Sequence, residues 1–423
     1  MTTVAPAAVA RPAPPAGRRF RLNWRVALLG VLGLLVIMSL ARVVTGADDI
    51  TSAGTIGAAL GLAVPIGLAA LGGLWSERAG VVNIGLEGMM ILGTWCGAWG
   101  AIVFGNPWAG VIAGAVGGAL GGLLHALVTV TFGVDHIISG VAINILGLGV
   151  TQYLSKLVFT EMQGGGETQS PRIPAIPEVG VPGVGGPLES LERTHWFLLS
   201  DIAGVLRGVT QGVSLFTVVA LLLIPLSFYV LWRTPFGLRL RSCGERPVAA
   251  ESLGVNVYFH KYVAVLVSGA LAGLGGAFLS IVASGIYREG QTGGRGFIGL
   301  AAMIFGNWRP GGLAGGSLLF GYTDALQLRQ GGTSVHALLL VVAILLAAVA
   351  VYQLTRQGRH RAALLSGGFA VAVFLVFAMT DTVAEQFTSF TPHLTTLLVL
   401  SLASQRLRMP AADGVPYRRG QAK

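Results

Sequence analysis

The stretch SERAGVVNIGLEGMMILG, residues 76–93, decides the fold. It sets Glu77, Arg78, Asn83 and Glu87 beside an apolar run, in a chain of which only 11% is charged. A polar, glycine-punctuated break between apolar segments is costly in hydrocarbon, because freed backbone groups find no water there. It is tolerated where it faces protein or a water-filled cavity. Broken helices of this kind form substrate sites in transporters, where a half-helix N-terminus offers free N–H groups to the cargo.

The residues around the break support a membrane setting. The 423 residues are 53% hydrophobic with a mean hydropathy of +0.73, too apolar for a soluble domain of this size. The fold class expected is all-α: a polytopic membrane protein of about twelve transmembrane helices, with an inverted repeat and discontinuous helices. Sixty-three glycines suit closely packed membrane helices. The net charge of +10 invites a nucleic-acid reading, but the Lys and Arg are dispersed over short interhelical segments. Orientation in a lipid bilayer accounts for them better, and no nucleic-acid partner is expected. Cys96 and Cys243 make neither a disulfide framework nor a metal site.

In chain order, residues 1–25 are Ala- and Pro-rich, then basic (Arg18, Arg19, Arg21, Arg25), and are read as a disordered cytoplasmic N-terminus. Residues 26–45 follow as an uncleaved first helix, since the run is long and no small-residue cleavage site follows it. The main transmembrane domain is placed at 52–404, with further spans near 56–74, 86–104, 108–131 and 137–159. Residues 160–212 carry six acids against Arg172, Arg193 and Arg207, and are placed outside. Within them, an amphipathic piece around 195–206 suits the membrane surface or a partner. After a span at 213–232, Arg233, Arg239, Arg241 and Arg246 put the loop 233–258 in the cytoplasm. Spans near 262–286, 295–307, 312–328, 335–354, 367–380 and 394–403 complete the count. Residues 405–423 form a basic cytoplasmic tail, so both termini lie in the cytoplasm of a multi-pass protein of the cell membrane.

A repeat is visible by eye. Ile84-Gly85-Leu86 with Met89-Met90 recurs as Ile298-Gly299-Leu300 with Met303-Ile304, and each copy precedes a Gly-Asn pair and a glycine-rich span. By the charge assignment the copies run in opposite directions, the arrangement that builds a midplane site between two halves.

Candidate substrate-pathway residues follow. Glu87 is an acid inside a span, where insertion costs ~2.5–3.5 kcal/mol and retention signals a role. Its counterpart in the second copy is Ala301. Glu87 either hydrogen-bonds a ribose-like or base-like cargo, or satisfies N–H groups of the broken helix or pairs with Arg78. Asn83 has the side chain of a helix cap, and Arg295 marks a matching break in the second half. Trp95, Trp99 and Phe297 are able to stack on a planar cargo or to serve packing. Asn144 and Asn307 complete the polar candidates.

In the cytoplasmic loop, Pro247 starts and Gly254 ends a short helix with an alanine face, Ala249 and Ala250, suited to docking into another protein. No G-x-x-x-x-G-K-[ST] phosphate loop occurs, so if ATP drives transport a separate subunit binds and hydrolyses it. No cofactor is expected on this chain, which is not read as an enzyme.

SERAGVVNIGLEGMM (76–90), RTPFGLRLRSCGERPVAAESLGVNV (233–257) and GRGFIGLAAMIFGNWRPGG (294–312) stand in that order. Together they resemble the membrane-spanning permease subunits of bacterial ABC importers for nucleosides and simple sugars, over about residues 54–417. The ending RMPAADGVPYRRG resembles the Pro-Ala-Ala-Leu-Gly-x-Pro-Tyr tail of one of two paired nucleoside permeases, with Asp413 in place of an apolar residue. The resemblance implies a second homologous permease, ATP-binding subunits, and an extracytoplasmic lipoprotein that delivers nucleoside by alternating access. It also implies that the loop carrying Arg239, Arg241, Gly244, Glu245, Pro247, Ala249, Ala250 and Gly254 couples to the ATPase. The first helix and an inserted pair of spans at 335–381 are additions to that pattern. Two alternatives remain open: a pentose or another simple sugar as cargo, and an ion-coupled secondary transporter. The paucity of membrane acids counts against the second.

Overall fold

Side chains that accept hydrogen bonds mark where many of the long helices start, as their sequences dictate. A computed structural model describes residues 24–358, 360–388 and 407–420. In it α1 (Trp24–Thr45) is followed by α2 (Ala53–Arg78), α3 (Leu86–Val103), α4 (Pro107–Ala126) and α5 (His136–Val158). Ser52 caps α2, Asn106 caps α4 ahead of its proline, and Asp135 caps α5. Two short helices, α6 (Gly185–Glu192) and α7 (Leu199–Thr210), lie in the long connection, flanked by a two-stranded pair of β1 (Glu178–Val179) with β2 (Val213–Ser214). Then come α8 (Leu215–Arg233), α9 (Pro235–Glu245), α10 (Pro247–Ser252), α11 (Val257–Phe278), α12 (Arg295–Phe305), α13 (Pro310–Gln357), α14 (His360–Met379) and α15 (Glu385–Thr388). π-helical turns at Leu127–Thr131 and Leu279–Ser284 extend α4 and α11.

Among the described residues, nine helices are long and apolar enough to cross a membrane: α1 to α5, α8, α11, the later part of α13, and α14. The chain is an all-α polytopic membrane protein. The expected span at 394–403 and most of the N-terminal stretch lie outside the described residues. Two expectations are corrected: the span expected at 295–307 is α12, whose 11 residues are too few to cross hydrocarbon alone, and no loop separates 312–328 from 335–354. α13 is one helix of 48 residues, about 72 Å at ~1.5 Å per residue, more than twice the ~30 Å of hydrocarbon. Near its middle, Gly331 and Gly332 pack closely against Thr388 and Val383.

The centre is an antiparallel pair, α2 and α11, on which two similar sets of helices pack. α4 packs on α11 as α13 packs on α2, and α3 packs on α11 as α12 packs on α2. Exchanging the triplet α2–α3–α4 with α11–α12–α13 therefore maps these contacts onto themselves, the relation an inverted repeat requires. Small residues allow the approach: a Cβ on Gly118 of α4 would stand 2.2 Å from the Gly269 oxygen of α11. The letter-by-letter register of the sequence repeat is not the structural one. Ile84 and Gly85 lie in the break before α3, whereas Ile298 and Gly299 lie inside α12. The residue of α12 equivalent to Glu87, second in its helix, is Gly296 rather than Ala301.

α1 is fixed at the α6–α7 end. Arg42 lies 2.9 Å from Asp201 of α7, both side chains buried, and Thr51 also donates to Asp201. Its inner face packs with α13 around Met38, Ala41, Leu326, Leu340 and Val341. The α7 helix turns Leu199, Leu206 and Val209 outward.

Candidate functional site

The first break, residues 79–85, has its backbone groups taken up by side chains from four helices. Ser76 donates to the Val81 oxygen at 2.6 Å, and Lys261 to the Gly80 oxygen at 3.2 Å. Val82 is held on both sides: its N–H donates to His136 Nδ1 at 3.2 Å, and His125 Nε2 lies 3.0 Å from its oxygen. Asn83, fully buried, accepts from Gly85 N–H at 3.1 Å and donates to Ser268 of α11 at 2.9 Å. Asn83 is thus a strut inside the break and not the cap of α3, whose N-cap is Gly85. Ser268 lies about 17 Å along α11 from Val257 at ~1.5 Å per residue, so the break climbs to near the middle of the bilayer.

Both helices that begin at a break start on glycine without a local side-chain cap, Gly85 for α3 and Gly294 for α12. Their caps come from across the fold. Glu87 Oε1 accepts from Gly294 N–H at 3.0 Å and Oε2 from Gly296 N–H at 2.7 Å, so the acid at the start of α3 closes the start of α12. Asn144 of α5 accepts from Gly88 N–H at 2.7 Å and donates to the Ile84 oxygen at 3.1 Å, closing the start of α3. The half-helix N-terminus of α12, equivalent to about +0.5 charge, is therefore closed by one carboxylate carried on the first turn of α3. A side chain at Gly296 would collide with Glu87, since its Cβ would stand 2.6 Å from the Glu87 Cα. Arg78 makes no contact of this kind with Glu87; it donates to the Trp308 oxygen at 3.1 and 2.5 Å.

Arg295 is the first residue of α12, donates to the Gln291 and Thr292 oxygens, and sits 3.8 Å from Asp324 of α13. Asp324, not among the sequence candidates, is an acid within a glycine-rich span, the same signal that singles out Glu87. Phe297 is half exposed on the open side of α12. Trp95 is buried in an aromatic cluster with Trp99 at 6.2 Å and Phe159 at 5.4 Å, and its indole N–H has no partner among the described residues. From the α6–α7 end the segment 166–173 lies across the second break: Ser170 N–H donates to the Tyr287 oxygen and Ile173 N–H to the Gly285 oxygen.

Asn307 stands apart from these residues. It occupies the α12–α13 turn at a φ of +53°, followed by Trp308 at +52°, a conformation that non-glycine residues rarely adopt. Its side chain accepts from Arg408 N–H at 2.8 Å, and Trp308 Nε1 donates to Glu77 Oε2 at 2.5 Å. It therefore belongs to the α9–α10 end with the C-terminal tail, not to the meeting of the half-helices.

At that end α10 starts at Pro247, and Gly254 follows its cap with a φ of +80°. Arg239 is exposed. Arg241 donates to the Leu231 oxygen at 2.9 Å and lies over the Trp232 ring, as does Arg78. Gly244 lies against the Arg78 backbone, and Glu245 is 4.0 Å from the Arg78 guanidinium. The expected alanine face is divided. Ala249 is exposed, but Ala250 is 3% exposed and packs with Cys243, Val257 and Tyr417 of the tail. The outward surface is instead Val248, Ala249, Ser252 and Leu253, the last 85% exposed.

A family model described as branched-chain amino acid transport system / permease component matches residues 55–350. The guanosine ABC transporter permease protein NupQ of Bacillus subtilis (strain 168) is 38% identical over 61% of this chain and 77% of its own length. The nucleoside ABC transporter permease protein NupC of Lactococcus lactis subsp. cremoris (strain MG1363) is 37% identical over 62% and 78%. The putative glucose ABC transporter permease protein TsgC13 of Haloferax volcanii is 35% identical over 62% and 74%. No solved structure matches the chain.

Proposed function

Because this chain belongs to the branched-chain amino acid transport system / permease component family, we propose that it is the membrane-spanning subunit of an ATP-driven importer of nucleosides, working by alternating access. The observation that carries the reading is the convergence of α3 and α12 on Glu87, with each half-helix capped from another element. A transporter needs a midplane region whose backbone is free of continuous helix yet fully bonded at rest. The nucleoside cargo is supported by two similar proteins whose names carry guanosine and nucleoside transport.

In this reading the α9–α10 end and the tail face the cytoplasm, and the α6–α7 end faces outward toward a substrate-binding lipoprotein. α10 docks on the ATP-binding subunit through Val248, Ala249, Ser252 and Leu253, and a second homologous permease completes the path beside Phe297. Asn83, Glu87, Asn144 and Arg295 act on the cargo by holding the ends of the half-helices, and Trp95 shapes the outer half. ATP is bound and hydrolysed by the partner subunit, and this chain holds no cofactor.

A sugar importer is the second reading, favoured by the similarity to a protein named for glucose. Labelled guanosine, uridine and ribose offered to the reconstituted complex separate the two. Uptake of the nucleosides, competed by each other and not by excess ribose, is the expected result; uptake of ribose alone would put the sugar reading in its place.

A further inference from the structure

We infer that α7 is an amphipathic anchor lying in the lipid–water interface at the α6–α7 end, and that its exposed apolar face is covered by the lipid of the adjoining leaflet and not by a protein. This role requires a membrane around the chain but neither a particular cargo nor ATP.

The faces of α7 are reversed relative to a helix packed on a soluble core. Ser200, Asp201, Ala203, Gly204 and Gly208 are buried, and the small ones let the helix settle on the start of α2. A Cβ on Gly204 would stand 2.5 Å from the Thr51 oxygen, and one on Gly208 2.6 Å from the Ala53 oxygen. Leu199, Leu206 and Val209 are exposed, and Ile202 is partly so. Separated by three or four residues at each step, these four form one apolar stripe. Arg207, the one basic residue of the helix, is turned aside to Glu189 and Glu192 of α6 at 2.9 and 3.0 Å, so the stripe carries no charge.

Contacts with the neighbouring spans fix the depth of α7. Ser39 Oγ accepts from Leu198 N–H at 2.9 Å, and Ser39 stands six residues before the end of α1 at Thr45. The start of α7 therefore lies ~9 Å inside that end at ~1.5 Å per residue. Gly208, near the other end of α7, packs against Ala53 and Ile56 in the first turn of α2. Interfacial helices lie ~5–10 Å into the boundary between headgroups and acyl chains, which is this depth. Val43 and Val44 at the same end of α1 are also exposed, so the apolar belt of the spans reaches this level.

Trp196 and Phe197 precede the helix and are 64% and 52% exposed. They stand between His195 and Leu198, two non-glycine residues at φ of +53° and +63°. Such backbone persists only where its surroundings dictate it, and here Arg42 lies 3.4 and 3.5 Å from the His195 and Trp196 oxygens. Tryptophan at this level is an anchor of membrane–water boundaries.

The test uses full-length Cys96→Ala, Cys243→Ala permease in phosphatidylcholine vesicles, with a nitroxide spin label on Leu206→Cys or, as the reference on the exposed surface of α6, on Ser190→Cys. Collision rates with oxygen, which concentrates in lipid, and with a water-soluble nickel chelate are read from the relaxation of the label. The oxygen-to-nickel ratio at Leu206 should exceed that at Ser190 several-fold, with Leu199→Cys following Leu206→Cys. Because the stripe is uncharged, added anionic lipid or salt should leave the ratio unchanged. A bimane on Leu206→Cys should be quenched more by lipids bearing a nitroxide near the headgroup end of the acyl chain than by lipids bearing it near the terminal methyl. A ratio at Leu206 no higher than at Ser190 would put the stripe in water and overturn the anchor. Low collision rates with both reagents would overturn it too, since a second copy would then cover the stripe. Stronger quenching from the terminal methyl would place α7 in the hydrocarbon core and not at the interface. Nickel access at Leu206 that is lost only on adding the substrate-binding lipoprotein would make the stripe a protein-docking face instead. The labelling needs neither nucleoside nor ATP, so failed uptake would count against the importer reading alone.

Discussion

Glu87 is placed where its charge is compensated by geometry. Its two oxygens take one N–H each from Gly294 and Gly296 at the positive end of α12, and it stands in the first turn of α3, where an acid is also favoured. Stripping the acceptor leaves the buried Gly296 N–H and the part-buried Gly294 N–H unmet, at about 1–3 kcal/mol for a fully buried group in typical cases. Glu87→Ala should therefore lower the melting temperature of the purified permease as well as its uptake, and Glu87→Gln, which keeps one acceptor oxygen, should fall between. An alanine variant that melts with the wild type would remove the capping role and leave contact with cargo as the reason for the acid. That Glu87 matters was legible in the sequence, because an acid in an apolar run is conspicuous. Its partner was not, because Gly294 lies more than two hundred residues away and glycine carries no side chain to announce a contact. Ala301 was matched to Glu87 by letters alone. α12 has 11 residues against 18 in α3, so the letters slide out of structural register.

Elements give two further expectations. The bounds of α10 were legible, since Pro247 and Gly254 punctuate it, yet the face it presents outward was not, because the tail that covers Ala250 comes from the end of the chain. Ala249→Trp and Leu253→Ala should weaken co-purification with the ATP-binding subunit while the permease alone stays as stable as wild type. Ala250→Trp should instead overpack the tail contact, destabilising the permease by about 1–3 kcal/mol. If Ala250→Trp leaves stability unchanged and blocks assembly, Ala250 and not Leu253 faces the partner. At the opposite end, α1 is held by Arg42 and Asp201, 6% and 1% exposed. Removing one partner of such a buried pair typically costs about 3–5 kcal/mol. Asp201→Ala should free α1 to be cleaved by an added protease at 45–52, and resistance equal to wild type would show that apolar packing on α13 alone holds it.

At the scale of the molecule, the inverted arrangement of α2–α3–α4 and α11–α12–α13 was readable from the repeat and from charge, because both report direction across the bilayer. The continuous α13 was not, since a Gly-Gly pair reads as a turn wherever tertiary packing is invisible. Sidedness follows from the same distribution of basic residues. Cysteines placed at Glu178 and at Leu253 in a chain free of Cys96 and Cys243 should react from opposite faces of the membrane, Leu253 from the cytoplasmic one. In the proposed importer this chain supplies the path and a partner subunit supplies the energy. Vesicles holding the permease alone, and vesicles holding it with its paired permease, ATP-binding subunits and binding lipoprotein, are given labelled guanosine with and without ATP. Accumulation only in the complete assembly, and only with ATP, is predicted. Accumulation by the permease alone, driven by an ion gradient and indifferent to ATP, would contradict it.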